Sequence, residues 1–225
     1  MAINFVTHHP SATGKARWLL TAPGAAGVGY TLSWLAGLAV PAPSPGMHAS
    51  GPAVAAALHG HGPALAAQFT LTEGLPAIGI AVVAAALART LRAHAPTGAR
   101  VALVCGLTAA VISALQFAAG LVLAASSSPS LVHALNQGLD RMDGVKMLVL
   151  AVLAASGAVP GVLPRWLRWT GAALAVAITC SGLVYLLLVS QFGVLAGPAL
   201  VLLLAFITGC GIMIGMKDSA AGRES

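Results

Sequence analysis

Residues 64–88 read ALAAQFTLTEGLPAIGIAVVAAALA, and this stretch decides how the chain folds. Apart from Gln68, two threonines and one carboxylate, Glu73, the run is apolar. A helix of about 20 apolar residues crosses the hydrocarbon core of a bilayer, so the run is long enough to span. A helix on a water-soluble surface would need one polar, charged face, and this run has none. Arg89, Arg92 and Arg100 follow around Pro96–Gly98, the kind of basic turn found where a membrane helix leaves the bilayer.

Working outward, the same pattern recurs. Trp18–Val40, Val101–Ala125, Trp169–Val189 and Val194–Met216 are further apolar runs. A fifth, less regular one begins near Asp143 and ends at Leu163, with Pro160 interrupting it and Lys146 reaching toward the headgroups. Of the 225 residues 58% are hydrophobic and 7% charged, whereas a soluble domain carries about 25% charged residues. These features predict a single all-α domain over residues 1–225, a polytopic six-helix transmembrane bundle with spans near 18–40, 64–88, 101–125, 143–163, 169–189 and 194–216. The first run could also be read as a signal peptide, but its length exceeds the roughly 7–15 apolar residues of that segment, which favours a retained helix. Pro41–Pro63 reads as a loop rich in Pro, Gly and His. Within Ser126–Met142, the spacing of Leu131, Leu135, Leu139 and Met142 predicts a short helix lying at the interface. Ser190–Gly193 reads as a tight turn.

Lys and Arg set the orientation. With the N-terminus inside, the cytoplasmic segments hold Lys15, Arg17, Arg89, Arg92, Arg100, Arg165, Arg168, Lys217 and Arg223, leaving only Arg141 and Lys146 outside. The positive-inside bias therefore predicts cytoplasmic N- and C-termini and a multi-pass protein of the plasma (inner) membrane, with membrane lipid as its standing partner. Trp18, Trp166 and Trp169 sit beside inner basic residues, as an aromatic belt would. The formal charge of +6 is spread over helix ends and does not form a nucleic-acid surface. Cys105, Cys180 and Cys210 lie in apolar runs without metal or redox spacing. His48, His59, His61 and His133 fall in loops, and the H-x-H pair alone does not make a metal site. No cofactor is expected. Gly24, Gly27 and Gly29 in the first run, and the G-x-x-x-G pair Gly211 and Gly215 in the last, suit close helix crossings.

Glu73 is the carboxylate that matters. At 1.5 Å per residue it lies about 13 Å below the outer boundary, where an isolated ionised carboxylate costs on the order of 3 kcal/mol or more. It must be protonated, paired or beside water. Pro76 cannot donate to the carbonyl of Thr72, so a kink and a free carbonyl are expected next to it. Tyr30, Gln116 and Ser181 lie at a similar depth on other spans, Ser113 is one turn below Gln116, Gln68 and Thr72 form a stripe on the same span, and Tyr185 lies nearer the outer end. One reading is an outward-opening pocket in which Glu73 acts as counter-ion, proton carrier or general acid and the other residues bind a ligand. The other is a structural polar layer that pins helix register. Asp143 and Lys146, three residues apart, can form an ion pair on one helix face. They could reach toward Glu73 or form a solvated cap at the start of the fourth span.

The basic start before "GVGYTLSWLAGL", the long outer loop after it and "GVLPRWLRWTGAALA" between the fourth and fifth spans resemble a broad group of small bacterial six-span membrane proteins known only as a domain of unknown function. The resemblance implies architecture and assigns no chemical role. Three functions stay open: binding or transport of a small hydrophobic or cationic molecule around Glu73, an intramembrane acid/base enzyme (cyclase or isomerase type) acting on a lipid-like substrate, and a non-catalytic accessory subunit.

Overall fold

The computed structural model describes residues 21–189, 194 and 196–221. The basic N-terminal segment, Trp18, the turn 190–193 and Arg223 lie outside these residues. Among these residues every regular element is helical. The described residues form seven helices: α1 (Ala22–Leu38), α2 (Gly51–Leu58), α3 (Gly62–Leu91), α4 (Pro96–Ala125), α5 (Pro129–Ser156), α6 (Arg165–Leu186) and α7 (Ala196–Ala221). A single proline stands at the first or second position of each of α1 to α5, where the missing N–H costs nothing because it would be unpaired in any case. The Thr21 hydroxyl caps α1 by accepting from the Gly24 N–H at 3.4 Å.

Helices α3, α4, α6 and α7 are each long and apolar enough to cross a membrane. The protein is thus a multi-pass helical membrane protein. Helix α1 has 17 described residues, about 25 Å of rise against a hydrocarbon core of about 30 Å. Helix α5 has the length, with 28 residues, but carries Asp140, Arg141, Asp143 and Lys146.

The connections differ from expectation in two places. The stretch 126–163 was expected to hold a short interfacial helix and then a separate span from 143 to 163. It forms one helix, α5, from Pro129 to Ser156. No residue between them forces a break, since isolated glycines such as Gly138 and Gly144 are tolerated inside a helix. The far end stops early because Gly157 is followed by Pro160 and by Gly161, whose φ of +84° belongs to the left-handed region that glycine enters freely. The second difference is α2, which occupies part of the expected loop 41–63. Its Val54 and Leu58 are buried against Val132 and Leu139 of α5 and Leu123 of α4.

The longer helices close a ring. α1 packs on α3, α3 on α4, α4 on α5, α5 on α6, α6 on α7, and α7 returns to α1. Small residues make the closest crossings possible. A Cβ on Gly211 would lie 3.0 Å from the Gly27 Cα and 2.5 Å from the Pro23 carbonyl oxygen, so α1 and α7 approach backbone to backbone, as the glycine spacing suggested. Thr31 and Thr208 share a 2.6 Å hydrogen bond across the same crossing, and the Thr208 hydroxyl lies 3.0 Å from the Gly27 carbonyl. Gly29, by contrast, faces open space.

Two apolar cores divide the ring along its length. The larger includes Ile80, Leu87, Leu153, Leu167, Leu174 and Phe206, toward the end with the arginine-bearing turns. The smaller, around Val54, Leu65, Leu123, Val132 and Leu139, closes the opposite end. Along α3, α4 and α5 alike, the chain passes from one core to the other through a short polar layer at residues 72–73, 113–116 and 143–146.

Candidate functional site: a buried ion cluster between two cavities

The layer begins with a defect in α3. Residues Thr70–Gly74 form a π turn, closed by the Leu75 N–H bonding to the Thr70 carbonyl. Pro76 has no N–H to offer, and the ladder widens just before it. Such single wide turns occur often at functional sites. Here the turn lies where the sequence predicted a kink, and it carries Thr72 and Glu73, both buried. The Thr72 hydroxyl donates back to the Gln68 carbonyl at 3.0 Å.

Glu73 is 5% exposed and Lys146 6%. Lys146 Nζ lies 2.8 Å from each carboxylate oxygen of Glu73 and 2.7 Å from Asp143 Oδ1. Gln116 Nε2 donates to the same Oδ1 at 3.0 Å and to the Leu139 carbonyl at 3.3 Å. The solvated cap considered for Asp143 and Lys146 does not form, because the unbroken α5 carries Lys146 well past its first turns and into the ring. Gly144 allows this. A Cβ there would meet the Gly182 carbonyl oxygen at 2.7 Å and the Leu186 nitrogen at 2.6 Å, so only glycine lets α5 lie this close to α6.

Two adjoining cavities flank the cluster. One, of about 310 Å³, is bordered by Tyr30, Trp34, Ile80, Ser113, Lys146 and Ile178. The other, of about 240 Å³, is bordered by Gln68, Glu73, Gln116, Asn136 and Asp140, and by Pro43–Pro45 of the α1–α2 connection. Trp34, Leu38, Thr72, Asp143 and Tyr185 belong to both walls. The Glu73–Lys146 pair is therefore part of a partition, with Glu73 bordering one cavity and Lys146 the other.

The structure therefore brings Glu73, Gln116, Asp143 and Lys146 into one hydrogen-bonded group. Tyr30, Gln68, Thr72 and Tyr185 line the cavities. Ser181 stands apart: its hydroxyl donates to the Ala177 carbonyl of its own helix at 3.0 Å, and it borders neither cavity. Trp34 was not singled out from the sequence, and Asp140 was read only as one of the charges beside Asp143 and Lys146. Trp34 lies four residues after Tyr30, hence on the same helix face, and unlike the other tryptophans it has no basic neighbour. Asp140 lies three residues before Asp143 on one face in the same way. Among the described residues, no group of three His, Cys, Asp or Glu side chains could hold a metal ion. The chain matches no protein-family profile, no curated protein and no solved structure.

Proposed function

We propose that this is a six-span protein of the plasma membrane, with cytoplasmic termini, that binds or transports a small hydrophobic or cationic molecule in the outer half of the bundle around Glu73. The six-span bacterial group that its motifs resemble is the architecture this reading assigns. The charge asymmetry of the turns supports the orientation, since the acidic cavity then opens toward the α1–α2 connection on the outer side. One observation carries the functional reading: a buried ion cluster borders two cavities where simple packing would have filled the space. Replacing a buried ion pair by well-packed apolar residues is often neutral or stabilising, so stability alone does not account for keeping this one. A general-acid role for Glu73 is less well supported, because Lys146 holds both of its oxygens.

Mass spectrometry of small molecules and lipids retained by the purified protein tests the proposal. A small hydrophobic or cationic compound should be enriched in the native chain and lost from Glu73→Gln. Identical, bulk-lipid profiles for both proteins would favour the accessory-subunit alternative and end the binding reading.

A further inference from the structure

The two cavities differ in chemistry. Glu73, Asp140 and Asp143 line the smaller one, and no lysine or arginine lines it among the described residues. The larger is walled mainly by aromatic and aliphatic side chains, Tyr30, Trp34, Ile80, Ile178 and Leu203 among them. Lys146 is the cation of the cluster, and it is already engaged by Glu73 and Asp143. One ammonium balances one carboxylate, so the cluster and the cavity beside it keep an excess of negative charge.

Gln116 supplies an independent sign. It is 2% exposed, and its amide nitrogen donates to two acceptors. Those bonds fix the orientation of the amide, because turning it over would set Oε1 against a carboxylate and a carbonyl. In this orientation Oε1 is buried with no donor. On Asp143 the bonds from Lys146 and Gln116 both fall on Oδ1, and none among the described residues reaches Oδ2. The acidic cavity thus has no lysine or arginine on its wall, and its N–H-bearing side chains, Trp34, Gln68 and Asn136, leave Gln116 Oε1 without a donor among the described residues.

We propose that the ligand is an amphiphilic protonated amine. This deepens, and rests on, the binding function proposed above. The N–H-bearing head lies in the acidic cavity and donates to Gln116 Oε1 and to the Asp143 carboxylate. The apolar body lies across the shared wall, among Tyr30, Trp34 and Tyr185, whose ring faces also favour a nearby cation. A quaternary ammonium brings the charge without a donor, and an alcohol brings a donor without the charge.

Three probes of one shape separate these requirements: 4-phenylbutylamine, its N,N,N-trimethyl derivative and 4-phenylbutan-1-ol. Their affinities for the full chain in phosphatidylcholine nanodiscs are measured by calorimetry at pH 7.5. The amine should bind at least about tenfold more tightly than either analogue, as expected when a buried polar group is satisfied by one ligand and left unpaired by another. Gln116→Met should erase the preference for amine over trimethylammonium, whereas a purely structural Gln116 would weaken all probes alike. Asp140→Asn, on the half-exposed cavity wall, gives a second reading: it should weaken both cations and leave the alcohol unchanged. An alcohol as tight as the amine overturns the charge requirement, and a trimethylammonium as tight as the amine overturns the donor requirement. If no probe binds while mass spectrometry recovers a different retained molecule, the amine class falls and the binding function stands. If no probe binds and nothing is retained, both fall.

Discussion

Removing the ammonium of Lys146 and removing the carboxylate of Glu73 are not equivalent changes. Without the lysine, Glu73 and Asp143 face each other through buried space, and breaking a buried pair this way costs about 3–5 kcal/mol. Without the Glu73 charge, Lys146 still has Asp143 at 2.7 Å. Lys146→Met should therefore lower the melting temperature of the purified protein much more than Glu73→Gln does, and adding Glu73→Gln to Lys146→Met should restore part of the loss. Equal losses for the two single changes would contradict the geometry. At this scale the sequence was informative about residues whose burial is costly. Glu73 and Gln116 declared themselves because polar groups deep in a span demand partners. The partnership of Lys146 did not, because it depends on where its helix begins, and neither did Trp34, because an indole in an apolar run looks like ordinary lipid-facing surface.

Helix α5 shows why the expected boundaries shifted. Its apolar run is short and its charges look like an ending, yet Lys146 pairs with Glu73 of α3 and Asp143 accepts from Gln116 of α4, and local composition holds no record of those partners. The same holds for α2, whose short, half-alanine sequence reads as loop until Val54 and Leu58 meet α5. Glycines test the packing of this element directly. A Cβ at Gly144 meets backbone of α6, while one at Gly138, two turns earlier, meets nothing within 4 Å. Gly144→Ala should therefore cost about 1–3 kcal/mol through overpacking and disturb the cluster. Gly138→Ala should be neutral or stabilising by up to about 1 kcal/mol through helix propensity. Thermal melts of the two variants check the pair, and a silent Gly144→Ala would mean that α5 and α6 are not in backbone contact. The π turn in α3 was legible as a disturbance at Pro76, but not as a widened turn, because the residue types that produce a kink and a π turn are the same.

For the whole molecule, the class was plain from composition, since so few charged residues cannot clothe a water-facing surface. The ring order was not, because apolar runs of similar composition say little about which neighbour each will choose. The proposed orientation is checked by cysteine accessibility. Cys105, Cys180 and Cys210 are first replaced by serine or alanine, and a single cysteine is then placed at His59 or Ala220, both exposed. In intact cells a membrane-impermeant maleimide should label the His59→Cys protein, and should reach Ala220→Cys only after lysis. Labelling of Ala220→Cys from outside would reverse the topology.

The ion pair also has a consequence for how the chain is made. Glu73 and Lys146 are separated by 73 residues, so the ribosome delivers α3 and α4 to the translocon well before α5 exists. During that interval Glu73 has no cation to face. With α5 as one of the six proposed spans, its lysine and aspartates each oppose insertion by about 2.5–3.5 kcal/mol at the centre of a helix, and α3, already in the membrane, offers the carboxylate that offsets part of this. Entry of α5 is thereby tied to the prior arrival of α3. A chain that stops before Pro129 keeps an unmatched acid in the bilayer, at the cost an unpaired carboxylate carries there.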